Sequence, residues 1–369
     1  ILEEKDASTN NNIEISIDIK LQRYLQELFD GKSGSIVVMD ARNGEIIAAA
    51  SFPEYDSNIF ARGISQNEWN QMRNDFNHPF TNKIINGLYP PGSVIKMGTA
   101  LSFLENGIPE DFTVNCTGTL PIGNRNFRCW KTQGHGSVNF RRAIAESCDD
   151  FFYKGSLKLG IEKTSDTLDK LGFGNTTGVD QINEFLGVNP SKEWKEKKYK
   201  QPWYIGETVI TSIGQGNMLV TPLQIARYTS YLATGKLPKP HFYKANYEEP
   251  KELGIPTKYL DIIRKGMYDV SYSPNGTASK HINSKVTIAA KTGTAQVVSI
   301  SQSEKVRMKE SELQYLERSH AWITTYGPFE NPQYVVTIIE EHGGHGGEAA
   351  GDIASKIYDK LQELGYIKQ

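Results

Sequence analysis

Leu21, Tyr24, Leu25, Leu28 and Phe29 recur three and four residues apart within Ile13–Asp30, so this stretch predicts a short strand followed by a helix. A hairpin comes next: an apolar run at Ser35–Met39, a turn at Asp40–Gly44 and a second run at Glu45–Ala50. Tyr89-Pro-Pro-Gly92 is a breaker cluster. Beyond it Val94, Met97, Leu101 and Leu104 share a helical face, predicting a helix from Ser93 to Asn106 with Gly107 at its end. Residues 140–265 read mostly as helices broken by loops, and the lysine-rich run Ser191–Trp203 reads as one of those loops. Strand patterns return at Lys285–Ala290, Ala321–Thr325 and Tyr334–Ile339, and a helix over Ala350–Leu364 closes the chain. Strands at both ends with helices between them predict an α+β fold, an antiparallel sheet made by the two ends of the chain and flanked by helices, with a mainly helical part inserted at about residues 100–280.

Composition narrows the function classes. At 369 residues, 38% hydrophobic and 23% charged, the chain is long enough for a sizeable core. A net charge of -2 leaves no excess of basic groups for a nucleic-acid backbone. No apolar run reaches the ~18–20 residues that cross a bilayer. Residues 1–12 are polar and read as a linker remnant, with 13–369 as the folded unit.

Three short motifs carry chemistry. Ser93-Val-Ile-Lys96 follows the breaker cluster, and on a helix residues three apart share a face, which brings a hydroxyl nucleophile to an amine base. Lysine serves as that base only when neutral, a state favoured by burial, a second cation and a helix N-terminus. Lys291-Thr-Gly-Thr294 follows an apolar strand run, where an edge strand can pair with an extended peptide and the glycine admits a close backbone. Ser147-Cys148-Asp149 lies between the two. Singly each is common in protein sequences. Together, in this order, they form the Ser-x-x-Lys, Ser-Asp-Asn and Lys-Thr-Gly set of penicillin-binding proteins and class A β-lactamases.

Further segments resemble class B penicillin-binding proteins: Tyr89–Lys96, Gly214-Gln-Gly216 with Thr221–Gln224, Lys291–Gln296 and His320-Ala-Trp322. Glu193–Lys195, Lys200–Trp203 and Gly206–Thr208 are similar to the elongation-specific branch, penicillin-binding protein 2. The resemblance covers nearly all of residues 13–369 and implies a peptidoglycan D,D-transpeptidase with a penicillin-binding fold. It implies that Ser93 attacks a D-Ala-D-Ala stem peptide, that Lys96 takes the proton, and that Ser147 with Lys291 protonates the leaving D-Ala. The backbone amides of Ser93 and Thr294 would form the oxyanion hole, with Asp149, Thr292, Gly293 and Thr294 facing the substrate. It further implies acylation by β-lactams, a lipid-II glycosyltransferase and a rod-shape-determining scaffold as partners, and residence on the periplasmic side of the bacterial inner membrane, with the anchor helix outside this chain. Asp149 departs from the pattern, because the family usually has Asn there. A carboxylate only accepts hydrogen bonds, so Asp149 either accepts a substrate N–H or pairs with Lys96. A β-lactam sensor domain and a D,D-carboxypeptidase or β-lactamase share the same motifs. Asn183–Gly187 is only a loose echo of the β-lactamase Glu-x-x-Leu-Asn.

The three cysteines bracket a histidine as Cys116-x12-Cys129-x5-His135-x12-Cys148. Three thiolates and an imidazole are a closed tetrahedral zinc set with no open position for water, hence structural. A metal would tie the second motif to the loop before it, with Cys148 and Ser147 pointing apart on a helix. A Cys116–Cys129 disulfide with Cys148 buried, or three separate buried thiols, are the alternatives. His342-Gly-Gly-His345-Gly-Gly-Glu348 reads as a strand-to-helix turn rather than a metal site.

Overall fold

A computed structural model describes residues 12–29, 31–297 and 309–368. Nearly all of the polar leading segment therefore lies outside the described residues. The chain enters through helix α1 (Ile19–Leu28), capped by the Asp18 carboxylate, which accepts from the backbone N–H groups of Lys20 and Leu21. The predicted hairpin follows as β1 (Gly34–Asp40) and β2 (Ile46–Phe52). Three small antiparallel pairs come later: β3 (Val114–Cys116) with β6 (Gly136–Val138), β4 (Thr119–Ile122) with β5 (Arg125–Arg128), and β7 (Lys236–Leu237) with β8 (Lys251–Glu252). The last strands are β9 (Ala289–Ala295), β10 (His320–Gly327) and β11 (Tyr334–Glu340). The main sheet has the order β2-β1-β11-β10-β9, so the two ends of the chain meet where β1 pairs with β11.

Every residue of β1 is buried, because helices cover both faces of the sheet. Neighbouring threonines on β10 show this. Thr324 Oγ1 lies 2.7 Å from Thr229 Oγ1 of the helix Pro222–Thr234, whereas Thr325 Oγ1 donates at 3.2 Å to Tyr358 of the closing helix Gly346–Glu363. The helix Pro222–Thr234 starts with Pro222 and a reciprocal Thr221–Gln224 cap and stops at Gly235, whose φ of 81° suits glycine. Among the described residues no helix is long and apolar enough to cross a membrane.

Four elements differ from the sequence reading. The turn Gly92–Ile95 is a 3-10 helix, and the α-helix begins only at Lys96 and runs to Glu105. The lysine-rich stretch is a helix, Lys192–Tyr199. Ser191 caps it by accepting from the N–H of Trp194, and a single buried position, Lys195, gives it no apolar stripe to read. Strand β9 starts later than the apolar run suggests and contains the Lys-Thr-Gly segment itself. The closing helix starts at Gly346. Gly346 packs so tightly against the sheet that a Cβ there would stand 1.9 Å from the Trp322 carbonyl oxygen and 2.6 Å from that of Gly293.

Candidate active site

Three separate elements bring the motifs together. Gly92 is held by a hydrogen bond from its N–H to the Gly214 oxygen at 2.9 Å. It is pressed against β9, since a Cβ on it would lie 2.8 Å from the Thr294 oxygen. Ser93 therefore opens its helix directly beside the sheet edge. It is half-buried, and every other residue from Pro91 to Ala100 is buried. In a 3-10 turn, side chains three apart eclipse one another, which stacks Ser93 and Lys96 more directly than an α-turn would.

Lys96 is fully buried, and its ammonium group has three acceptors: Ser147 O at 2.9 Å, Ser147 Oγ at 3.3 Å and Asp149 Oδ1 at 2.6 Å. Lys291, also fully buried, donates to Ser147 Oγ at 2.9 Å and to the Thr292 oxygen at 2.9 Å. The hydroxyl of Ser147 thus sits between two lysine amines. Burial, reinforced by the nearby Lys96 charge and opposed by Asp149, holds the Lys291 amine well below the usual lysine range. Burial raises the Asp149 carboxyl, and Lys96 pulls the other way.

Asp149 resolves the alternative left open by its sequence. One oxygen binds Lys96 and the other accepts the Trp130 N–H at 2.8 Å, so both already have a partner inside the protein. Thr292 is buried, with its hydroxyl 2.6 Å from that of Thr277. Thr294 is half-buried on the same strand. Gly293 does admit a close neighbour, but that neighbour is the turn that carries Ser93. A Cβ there would meet the Pro91 oxygen and Val94 at 3.1 Å and the Trp322 side chain at 3.0 Å. Strand β9 ends the sheet, with β10 as its one strand partner among the described residues, so its outer edge is open to an extended peptide.

One residue near the site escaped the sequence reading, Trp130, and a second, Gln215, entered it only within Gly214-Gln-Gly216. Trp130, 53% exposed, donates its ring N–H to the carbonyl oxygens of Glu146 at 3.0 Å and Ser147 at 3.1 Å. Gln215 donates to the Thr294 oxygen at 3.3 Å. The position of Trp130 next to Cys129 was the available signal for the first. Ser147 needs such support, because its φ of 53° lies in the left-handed region that a serine enters at a cost. Cys148 is the extended N-cap of the helix Asp149–Leu159 rather than part of a helix with Ser147. The divergence of their side chains comes from this irregular backbone.

All three cysteines are buried as free thiols. Their sulfurs and a ring nitrogen of His135 lie within 4.8 Å of one another. His135 Nδ1 is 3.6 Å from Cys116 Sγ and 3.5 Å from Cys129 Sγ. Zinc bonds of about 2.3 Å to sulfur and 2.0–2.1 Å to nitrogen at a tetrahedral angle imply an N···S edge of about 3.6 Å, which these two edges match. The other ring nitrogen is buried without a hydrogen-bond partner and faces Glu146 at 4.0 Å, the type of outer carboxylate that orients a metal-bound imidazole.

Residues 34–359 match the penicillin binding protein transpeptidase domain. Over 374 residues the chain is 36% identical to the peptidoglycan D,D-transpeptidase MrdA of Haemophilus influenzae, covering 97% of this chain and 57% of the relative. It is likewise 36% identical over 376 residues to MrdA of Escherichia coli K12, covering 98% and 59%. The chain thus spans less than two thirds of the length of these curated relatives. The solved penicillin-binding protein 2 of Helicobacter pylori, in complex with MreC, superposes with a TM-score of 0.91 at 46% identity, over 98% of this chain and 65% of that one. By motif, geometry and likeness alike, the chain belongs to the penicillin-binding protein transpeptidase family.

Proposed function

We propose that this chain is a peptidoglycan D,D-transpeptidase that cross-links stem peptides through a Ser93 acyl-enzyme during cell-wall elongation. The observation that carries this reading is the Ser147 hydroxyl held between Lys96 and Lys291, beside the turn that opens with Ser93. Two buried amines and one hydroxyl can share protons. A proton leaving Lys96 through Ser147 to Lys291 makes Lys96 a neutral base. Ser93 Oγ then attacks the carbonyl of the penultimate D-Ala and its proton passes to Lys96. The backbone N–H groups of Ser93 and Thr294 stabilise the oxyanion, each such donor being worth about 3–4 kcal/mol in acyl-transfer enzymes. As the peptide C–N bond breaks, Ser147 gives its proton to the leaving amine of D-Ala and is reprotonated from the lysine pair. An acceptor amine from a second stem peptide enters by the reverse path and frees Ser93. Asp149 acts on Lys96, and Thr294 is the hydroxyl placed for the substrate carboxylate. β-Lactams acylate Ser93 in place of the stem peptide.

The unit that does this comprises residues 13–369, with the helical part at about 100–280 inserted between the two ends of the sheet. Cys116, Cys129, His135 and Cys148 hold a structural zinc that fixes the loop before Ser147, and catalysis uses no cofactor. A rod-shape scaffold of the MreC kind and a lipid-II glycosyltransferase are the partners that suit this reading, on the periplasmic side of the inner membrane. The test is acylation of the chain by a fluorescent penicillin, followed by cross-linking of donor and acceptor stem peptides. A one-to-one adduct that is lost in Ser93→Ala, with dimeric product from the parent, is the expected result. An adduct that hydrolyses quickly without cross-linked product would favour a carboxypeptidase or β-lactamase. No adduct on folded protein would overturn the assignment of Ser93.

A further inference from the structure

Another buried lysine precedes the nucleophile turn in sequence. Lys83 is 2% exposed, and its ammonium group has three acceptors: Ser33 Oγ at 2.6 Å, the Phe52 oxygen at 2.7 Å and Glu341 Oε2 at 2.7 Å. Glu341 in turn accepts from the Ser33 hydroxyl and, through Oε1, from the Tyr89 hydroxyl at 2.6 Å. Its own backbone N–H donates to the Ser33 oxygen at 2.8 Å. No donor of the lysine and neither carboxylate oxygen is left without a partner. The network gathers the loop before β1, the end of β2, the segment around Lys83 and the end of β11 onto one phenol.

That phenol begins the nucleophile turn. Tyr89 precedes Pro90-Pro91-Gly92-Ser93, and its backbone pairs with Val220 in both directions at 3.0 and 2.9 Å. Its ring stands edge-on to His320 at 5.5 Å and to Trp322 at 6.0 Å, and Trp322 donates its ring N–H to the Pro90 oxygen at 3.1 Å. Gly87 leaves room for the ring, since a Cβ there would lie 2.5 Å from it. His320 and Trp322 belong to β10, opposite Ala295 and Gly293 of β9. Tyr89 is therefore fixed to the strand that carries β9, and four residues later the chain must place Ser93 against that same β9. A buried ion pair is weak evidence for stability, because apolar residues of similar volume often serve as well. What an ion pair with a full set of hydrogen bonds supplies is a single defined geometry.

We propose that Lys83 and Glu341 are positioning residues for the acylation step: through Tyr89 they set the distance between the Ser93 turn and strand β9. The proposal rests on the transpeptidase reading above, since it concerns the rate at which Ser93 is acylated. Displacing a reacting group by about 1 Å can cost on the order of 100-fold in rate, so a small shift at Tyr89 is enough to register.

The experiment uses the full chain with Tyr89→Phe, Glu341→Gln, Lys83→Met and Lys83→Arg. Penicillin acylation is followed over a concentration series that separates the non-covalent binding constant from the first-order acylation constant, with circular dichroism and thermal melts alongside. Tyr89→Phe keeps the ring and removes a single hydrogen bond, so it tests the idea even where Lys83→Met fails to fold. The expected result is an acylation constant lowered by about tenfold or more in Tyr89→Phe and Glu341→Gln, non-covalent binding within about twofold of the parent, and recovery in Lys83→Arg. Folded variants with parental acylation constants would overturn the proposal. So would losses that merely track the unfolded fraction, which a purely structural network would give. If the unaltered chain takes no penicillin at all, the transpeptidase reading falls and this inference with it. A parent that reacts beside variants that react equally well sinks this inference alone.

Discussion

Replacing Asp149 by alanine tests the electrostatics of the site most directly. The substitution removes the carboxylate 2.6 Å from the fully buried Lys96 ammonium and strips the Trp130 N–H of its acceptor at 2.8 Å. It leaves two lysine amines around one hydroxyl. Breaking a buried ion pair from one side costs about 3–5 kcal/mol. The chain can limit that cost by releasing a proton from a lysine. The release costs about 1.4 kcal/mol per pH unit below the usual lysine value near 10.4, or about 4.6 kcal/mol at pH 7. The two routes give similar figures, so Asp149→Ala should lose about 3–5 kcal/mol of folding stability at neutral pH. The sign of the pH dependence follows. If the folded variant holds one neutral amine more than the folded parent, in which Lys291 is already kept below the usual lysine range, the variant's stability rises more steeply with pH than the parent's. The deficit relative to the parent should shrink by about 1.4 kcal/mol per unit between pH 7 and 9. Asp149→Asn keeps an oxygen for either Lys96 or Trp130 and should fall between the two. Denaturant unfolding of the three proteins at pH 7, 8 and 9 is the assay. A loss below about 1 kcal/mol at pH 7, or a deficit that does not change with pH, would refute the ion-pair account.

Three further outcomes follow from other parts of the structure. Burial, with His342 next in weight, brings His320 down to about 4, so it stays neutral in the fold while the unfolded chain protonates near 6.5; stability is intact above that value and falls between pH 6.5 and 4 by about 3 kcal/mol, and His320→Gln should flatten that part of the stability curve. Gly346→Ala would drive a methyl group into the Trp322 and Gly293 carbonyls, both part of the β9–β10 pair; it should lower the melting midpoint and slow penicillin acylation, and parental values for both would show that the helix start can shift freely. Removing metal with a strong chelator should release about one zinc per chain by elemental analysis and lower the melting midpoint, and Cys129→Ser should reproduce the shift without chelator; protein that carries no metal when freshly prepared would return the cluster to three buried thiols.

The sheet was legible because β1, β2 and β11 are continuous apolar runs bounded by turn residues. Lys192–Tyr199 was not, because its helix depends on a serine cap and charged pairs, which leave no hydrophobic period. The start of β9 was misplaced for a related reason. Lys291 and Thr292 look like surface residues in sequence, yet both are buried, one against Ser147 and the other against Thr277. Spacing gave the members of the cysteine cluster, and the match to the known motif set gave those of the three motifs. Neither could show where the side chains point. The inward turn of Thr292 and the double engagement of Asp149 depend on Thr277 and Trp130, residues distant in sequence that no local pattern connects to them.

Asp149 and the cysteine cluster belong to one arrangement. The carboxylate that pairs with Lys96 is oriented by the Trp130 N–H, and Trp130 directly follows Cys129. The same indole reaches across to the carbonyl oxygens of Glu146 and Ser147, and so braces the residue whose backbone is held at a left-handed φ. Cys148 then anchors the other side of that strained residue. An asparagine in place of Asp149 would present one oxygen and an NH2 group. With the side chain placed as Asp149 is, its oxygen would meet one of the two donors and its NH2, which only donates, would face the other. The carboxylate is therefore the side chain that serves both donors at once. It fits a loop that brings the Trp130 N–H to 2.8 Å from Asp149, in the stretch between Cys129 and His135.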